Sequence, residues 1–267
     1  MKKKYILAID QGTTSSKALL FNKNALAVDR ESIEFRQIYP KSGWVEHSPE
    51  EIFDAVMRAV RNVVKRTNID YKEIDSIGIT NQRETTVLWD KKTGKPIHNA
   101  IVWQCRRTAA RCNEIKKTDF NEKIFEKTGL IVDPYFSATK IEYLLNTVPN
   151  LRERAENGEI AFGTIDSWLV YNLTGKKYHV TDYSNASRTM LFNINTLKWD
   201  EDLLKFFGIP KSILPEVIPS SQNMILSSGE YFDGNEIPIS GLIGDQQGAL
   251  FGQCRSEERR VGKECTI

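Results

Sequence analysis

The alternation of apolar and polar positions changes period once in the first seventy residues. Tyr5-Ile6-Leu7-Ala8-Ile9 is a short apolar run that predicts a buried strand, and residues 16–21 predict a second. Gly12-Thr13-Thr14 supplies a tight turn between them, and Asn22-Lys23-Asn24 another, leading into a third extended segment over 25–35. At Ser48 the spacing becomes helical. Ser48-Pro49-Glu50-Glu51 reads as a capping box with proline at the first helical position. Ile52, Val56, Val60, Val63 and Val64 then recur on one face, predicting an amphipathic helix over 49–66. The cap alone is worth ~1 kcal/mol.

Further along, strands are expected at 74–80 and 85–89, with Lys92-Thr93-Gly94-Lys95 turning the second back toward a segment at 100–104. Helices are expected at 106–117, 122–127 and 138–146, the last capped by Ser137. A strand at 161–164 precedes a short helix capped by Asp166 and ended before Gly175. A last strand at 237–243 leads into a helix opened by Asp245. Hairpin strands followed by strands alternating with helices imply an α/β layer architecture: a mixed sheet covered by helices. No internal repeat or low-complexity linker interrupts residues 1–253. From Cys254 the chain is half charged and lacks an apolar period, so 254–267 is read as a tail foreign to the fold.

Composition adds mainly exclusions. The 267 residues carry 37 basic and 35 acidic side chains, a net charge of +2, which gives no argument for nucleic acid or an anionic membrane. No apolar stretch is long enough to span a bilayer, and the N-terminal run meets Asp10 too soon for a signal peptide. Cys105, Cys112, Cys254 and Cys265 show no metal-binding spacing, which fits reduced thiols and a cytoplasmic location.

Four segments could carry chemistry. Asp10-Gln11-Gly12-Thr13-Thr14-Ser15-Ser16-Lys17 combines a turn glycine, amides and hydroxyls that can donate to phosphate, a carboxylate suited to Mg²⁺, and a cation. It lacks the Walker A spacing, and an ordinary polar hairpin explains it equally well. Arg83 and Glu84 in Asn81-Gln82-Arg83-Glu84-Thr85 could share a polyol, Arg donating and Glu accepting, although neighbouring Arg and Glu are more often solvated surface charges. Trp103 and Tyr135 could pack against carbon and hydrogen-bond a hydroxyl, or belong to the core. Asp245, just after a buried strand, sits where α/β sheets place ligands. There it could take a hydroxyl proton, or simply cap the following helix.

Taken together, these strings resemble a known family. The run from Asp10 to Ser16, Gly43-Trp44-Val45-Glu46-His47, Gly78 to Thr86, Ile101 to Thr108, Asp133-Pro134-Tyr135-Phe136-Ser137, Thr181 to Thr189 and Gly244-Asp245-Gln246-Gln247 are similar to the glycerol-kinase branch of the FGGY carbohydrate kinases. The resemblance implies an actin-like (ribonuclease H-like) ATPase fold and transfer of the ATP γ-phosphoryl group to glycerol, giving sn-glycerol 3-phosphate. It implies that Arg83, Glu84, Tyr135, Asp245 and Gln246 bind the polyol hydroxyls, Trp103 packs on its carbons, and Asp245 is the general base. Asp10 would position Mg²⁺, and Thr13, Thr14, Ser15 and Lys17 would meet the ATP phosphates. It also implies a homo-oligomeric full-length enzyme.

Lys17 stands where the family often has Arg, which keeps the charge but not the bidentate contact. Tyr143 replaces a usual Trp. Glu236 occupies a position where some bacterial members use Arg to bind fructose 1,6-bisphosphate. The resemblance covers roughly half of a family member, so the chain is expected to lack a second domain, to hold half of the phosphate site, and to be a poor kinase by itself. The competing readings are a kinase for another polyol or sugar, and a non-catalytic actin-like binding fragment.

Overall fold

The computed structural model describes residues 3–254. Six strands form its central sheet: β1 (Tyr5–Gln11), β2 (Ser15–Asn22), β3 (Ala27–Glu34), β4 (Ile74–Asn81), β5 (Ser221–Leu226) and β6 (Pro238–Gly244). Their order is β5-β6-β4-β1-β2-β3. β1, β2 and β3 are an antiparallel meander; β4 runs parallel to β1, and β6 parallel to β4. Antiparallel neighbours need only turns, whereas the step from β3 to β4 needs a crossover, and the Pro49–Thr67 helix supplies it. Ser48 Oγ accepts the Glu51 N–H at 3.2 Å to start that helix, and Asn68 at φ 53° ends it in the left-handed conformation. Its buried face, including Ile52, Val56, Val60 and Val63, joins Leu7, Ile9, Ala18 and Leu20 in one core.

A second core collects Cys105, Cys112, Ile141, Leu144, Leu203 and Phe207 under the short helices. The antiparallel pair Val87–Asp90 and Ile160–Gly163 divides the two cores. Val87, Trp89 and Ala161 face the first, Leu88, Ile160 and Phe162 the second, because successive strand side chains point to opposite faces.

The expected mixed sheet and its elements are present, with local corrections. The 106–117 helix is confined to Ala109–Ile115, and the 100–104 strand to Ala100–Ile101. Helices Leu151–Glu156 and Glu201–Phe207 and the edge strand β5 are additional to those expected. Ser137 and Asp166 are not caps: Phe136 and Thr164 hold those positions, and the two polar side chains turn inward to longer-range partners. Gly244, not Asp245, is the N-cap of the Asp245–Gly252 helix. The tail reading covers 254–267, of which only Cys254 is among the described residues; 255–267 lie outside them.

Candidate active site

Gln11, Asn81 and Gly244 lie side by side at the carboxyl ends of β1, β4 and β6. Open α/β sheets bind ligands beyond such ends, and the candidate residues leave the sheet here.

Glu84 sits at the centre of a three-residue turn. The Thr85 N–H donates to Arg83 O at 2.7 Å across it, and Glu84 has φ 60°. A three-residue turn with positive φ on a residue bearing a Cβ is strained, by about 1–3 kcal/mol, and persists only where surroundings impose it. Here they do. Ser137 Oγ and Lys140 Nζ donate to the Glu84 carbonyl at 3.3 and 3.2 Å, and Lys140 Nζ also donates to Tyr135 O at 2.6 Å. Lys140 is fully buried, and desolvation pulls its ammonium down to about 7. The Glu84 carboxylate is itself buried and accepts from Arg188 Nε at 2.6 Å. Burial pushes its carboxyl above the usual range, while the Arg83 and Arg188 guanidinium charges oppose that shift.

Asp245 lies at the start of its helix, two-fifths exposed, and accepts the Gln246 N–H at 2.7 Å. Arg83 Nε approaches Asp245 Oδ1 at 3.2 Å, and Arg83 Nη1 donates to Gln247 Oε1 at 3.3 Å. Gly244 makes room for this: a Cβ there would sit 2.6 Å from Arg83 Cδ. Burial raises the Asp245 carboxyl; Arg83 lowers it and the nearby Asp10 charge raises it again. Gln246 is exposed beside Asp245. Tyr135 completes the wall, its hydroxyl raised mainly by burial and also by the Glu84 charge. Its ring lies 5.3 Å from that of Trp103, whose indole Nε1 donates to Thr13 Oγ1 at 3.0 Å.

The β1–β2 turn closes with Gly12 N–H donating to Ser15 O at 2.9 Å. Gly12 does not take a positive φ; what the turn uses is its small size, since a Cβ would lie 3.2 Å from Ser15 O. Asp10 and Lys17 face each other across the hairpin and form an ion pair at 3.1 Å, with 33% and 47% of their side chains exposed. Thr13 and Ser15 are half-buried and Thr14 is exposed. A buried amide chain supports the turn: Gln82 Nε2 donates to Gln11 Oε1 at 3.1 Å, and Gln37 Nε2 to Thr13 O at 3.1 Å. His47 joins it through Gln37 Oε1 at 2.7 Å, and burial depresses the imidazole to about 4, so it is neutral in this chain of amides.

The structure thus brings Arg83, Glu84, Trp103, Tyr135 and Asp245 to one wall, with Gln246 on its rim, and Asp10, Thr13, Thr14, Ser15 and Lys17 to the adjacent hairpin. The sequence reading left Arg188 and Lys140 without a role. Arg188 pairs with Glu84 across 104 positions of chain, which no local pattern signals. Its place in the Thr181–Thr189 string was the only hint. Among the described residues no group of three or more His, Cys, Asp or Glu is placed to hold a metal, and no helix is long and apolar enough to cross a membrane.

Residues 5–252 match the FGGY family of carbohydrate kinases, N-terminal domain. The chain is 58% identical over 253 residues to a glycerol kinase of Carboxydothermus hydrogenoformans, covering 95% of this chain and 51% of that protein. Among solved structures, it superposes on Plasmodium falciparum glycerol kinase with ADP at TM-score 0.89 and 39% identity, covering 95% of this chain and 51% of the other. A ligand-bound xylulose kinase from Lactobacillus acidophilus superposes at TM-score 0.84 and 26% identity, covering 93% and 50%. The chain spans about half the length of the curated relatives it matches.

Proposed function

The chain belongs to the FGGY family of carbohydrate kinases, with their actin-like ATPase fold, and on that premise we propose that it forms the acceptor half of a glycerol kinase. The observation that carries this reading is the convergence of Arg83, Glu84 and Asp245 beyond the ends of β4 and β6. A buried carboxylate beside a guanidinium suits a ligand whose hydroxyls both donate and accept. Trp103 and Tyr135 offer ring faces to its carbons.

In this reading Glu84, Arg83 and Tyr135, assisted by Gln246, fix the polyol so that one terminal hydroxyl meets Asp245. Asp245 takes the hydroxyl proton as that oxygen bonds to the γ-phosphorus of ATP, and the bond from the γ-phosphorus to the bridging oxygen breaks, releasing ADP. Positioning supplies most of the rate in such transfers, and a general base contributes about 10²–10⁴-fold. The raised Asp245 carboxyl makes it a better proton acceptor than an ordinary aspartate.

Asp10 fits Mg²⁺ carried by the nucleotide. It is a hard oxygen donor, partly exposed at a strand end, and such ions take one or two carboxylates with phosphates and waters completing the shell. Bound there, Mg²⁺ would neutralise charge on the phosphates. Asp10 would hold it directly or through water once Lys17 turns from Asp10 toward the phosphates. Thr13, Thr14 and Ser15 would donate hydroxyls and amides to the same groups. The full-length protein is read as a cytoplasmic homo-oligomer with no nucleic-acid partner.

The xylulose kinase superposition favours one alternative acceptor, a sugar. The test is kcat/KM of the full-length protein for glycerol, erythritol and xylulose with ATP. Glycerol is expected to lead by more than about tenfold; xylulose or erythritol in first place would replace the assignment.

A further inference from the structure

Arg83 and Glu84 leave β4, Asp245 leaves β6, and transfer chemistry requires their separation to be held closely. A misplacement of about 1 Å can cost 10²-fold in rate. The β4–β6 ladder fixes the strands up to its last rung, which joins Asn81 to Gly244. At that rung the two strand ends are tied from behind by a buried carboxylate outside the site.

Asp182 is fully buried and accepts five hydrogen bonds. Two come from the amides of Ser184 and Asn185, both at 3.0 Å, and are accounted for by Asp182 capping the four-residue helix Tyr183–Ala186. The other three come from Ser184 Oγ at 2.6 Å, Ser220 Oγ at 2.7 Å and Asn185 Nδ2 at 2.8 Å. Capping does not require them.

Two of these donors hold a strand with their remaining capacity, and the third belongs to a residue whose backbone carbonyl does so. Ser184 Oγ accepts the Gly244 N–H at 2.7 Å, immediately before Asp245. Asn185 and Asn81 exchange side-chain amide bonds at 3.0 and 3.2 Å, two residues before Arg83. Ser220 O accepts the Leu242 N–H at 2.8 Å. A single buried carboxylate thereby orients two side-chain donors whose other contacts lie at the ends of β4 and β6, and ties down Ser220 beside β6.

We propose that Asp182 is a positioning residue that sets the spacing between the polyol-gripping pair Arg83–Glu84 and the proton acceptor Asp245. The inference rests on the kinase reading for its kinetic consequence, but its geometry stands apart from the identity of the substrate.

The test compares Ser184→Ala and Asp182→Asn with the parent in the full-length protein. Asn caps helices about as well as Asp, but its amide end cannot accept from a further donor. Amide hydrogen exchange is read first. Gly244 is expected to exchange at least about tenfold faster in Ser184→Ala, with β1 and the Pro49–Thr67 helix as protected as before. For glycerol turnover, kcat is expected to fall by about 10–100-fold while glycerol affinity by calorimetry stays within about threefold. A merely structural role would lower stability and leave this split unseen. Unchanged Gly244 exchange overturns the proposal, as does faster exchange with full kcat. If the parent protein turns over no glycerol, the functional reading fails, and the exchange result still decides the clamp. Should Asp182→Asn fail to fold, Ser184→Ala, which removes one hydroxyl, decides it.

Discussion

At the ends of β4 and β6, charged groups are withdrawn from water and over-determined. Glu84 is buried, its backbone held by Ser137 and Lys140 and its carboxylate by Arg188. Arg83 is only 10% exposed, with Gly244 cut away to admit it. On the neighbouring β1–β2 hairpin, Asp10 and Lys17 satisfy each other in a partly exposed pair. The acceptor wall is preorganised by the polypeptide, whereas the hairpin balances its own charges and can exchange partners. That difference suits a small neutral ligand on one side, which brings no charge to organise a site. It suits a highly charged ligand on the other, which does.

The largest effect should come from the wall's reactive group. Asp245→Asn in the full-length protein is expected to lower kcat by about 10²–10⁴-fold with little change in thermal midpoint, since the substitution keeps the side chain's shape at a two-fifths-exposed position. A coupled ADP-release assay beside a melting curve measures both. Retained turnover would remove the proton acceptor from the scheme. Next, Gly244→Ala should drive its new methyl into Arg83 and weaken polyol binding by about 10–100-fold, the worth of one charge-assisted hydrogen bond. Calorimetric affinity unchanged by this substitution would mean that Arg83 does not need its present position.

A third test reaches the support behind the wall. Asp166 is fully buried, accepts from the Thr164 hydroxyl and from Thr181 Oγ1 at 2.6 Å, and burial raises its carboxyl to about 7. The folded state therefore keeps a proton that the unfolded chain releases near 3.8. This contribution to stability is full below about pH 4 and is lost as pH rises through about 7. Asp166→Asn should flatten the decline of melting temperature across that interval; a decline as steep as the parent's would locate its source elsewhere. The smallest effect belongs to the hairpin. Lys17→Ala removes an exposed pair worth ~0–1 kcal/mol, so stability should barely move and the KM for ATP should rise up to about fivefold. A large loss of polyol affinity instead would show that the two sides are not independent.

Much of this molecule is local and therefore readable. The Tyr5–Gln11 and Ser15–Asn22 strands and the Pro49–Thr67 helix follow from side-chain period, turn residues and a serine cap, which act over a few positions. The motifs also place Arg83, Glu84 and Asp245 next to strands whose ends attract ligands. Ser137 and Asp166 show where local rules stop. Each stands where a cap would be expected, yet one donates to Glu84 O and the other accepts from Thr181. A buried polar group takes whichever partner satisfies it best, and that partner can come from any part of the chain.

The same division holds for the site. Sequence alone determined most of the strands and the long helix, which family the chain resembles, and which side chains are candidates for the chemistry, because those depend on residue type and short spacing. Only the tertiary structure decided that Arg188 holds Glu84, that Lys17 neutralises Asp10, and that Asp182 ties the ends of β4 and β6. Those contacts cost chain entropy that no local segment recovers by itself, so they exist only once the whole sheet has brought their partners together.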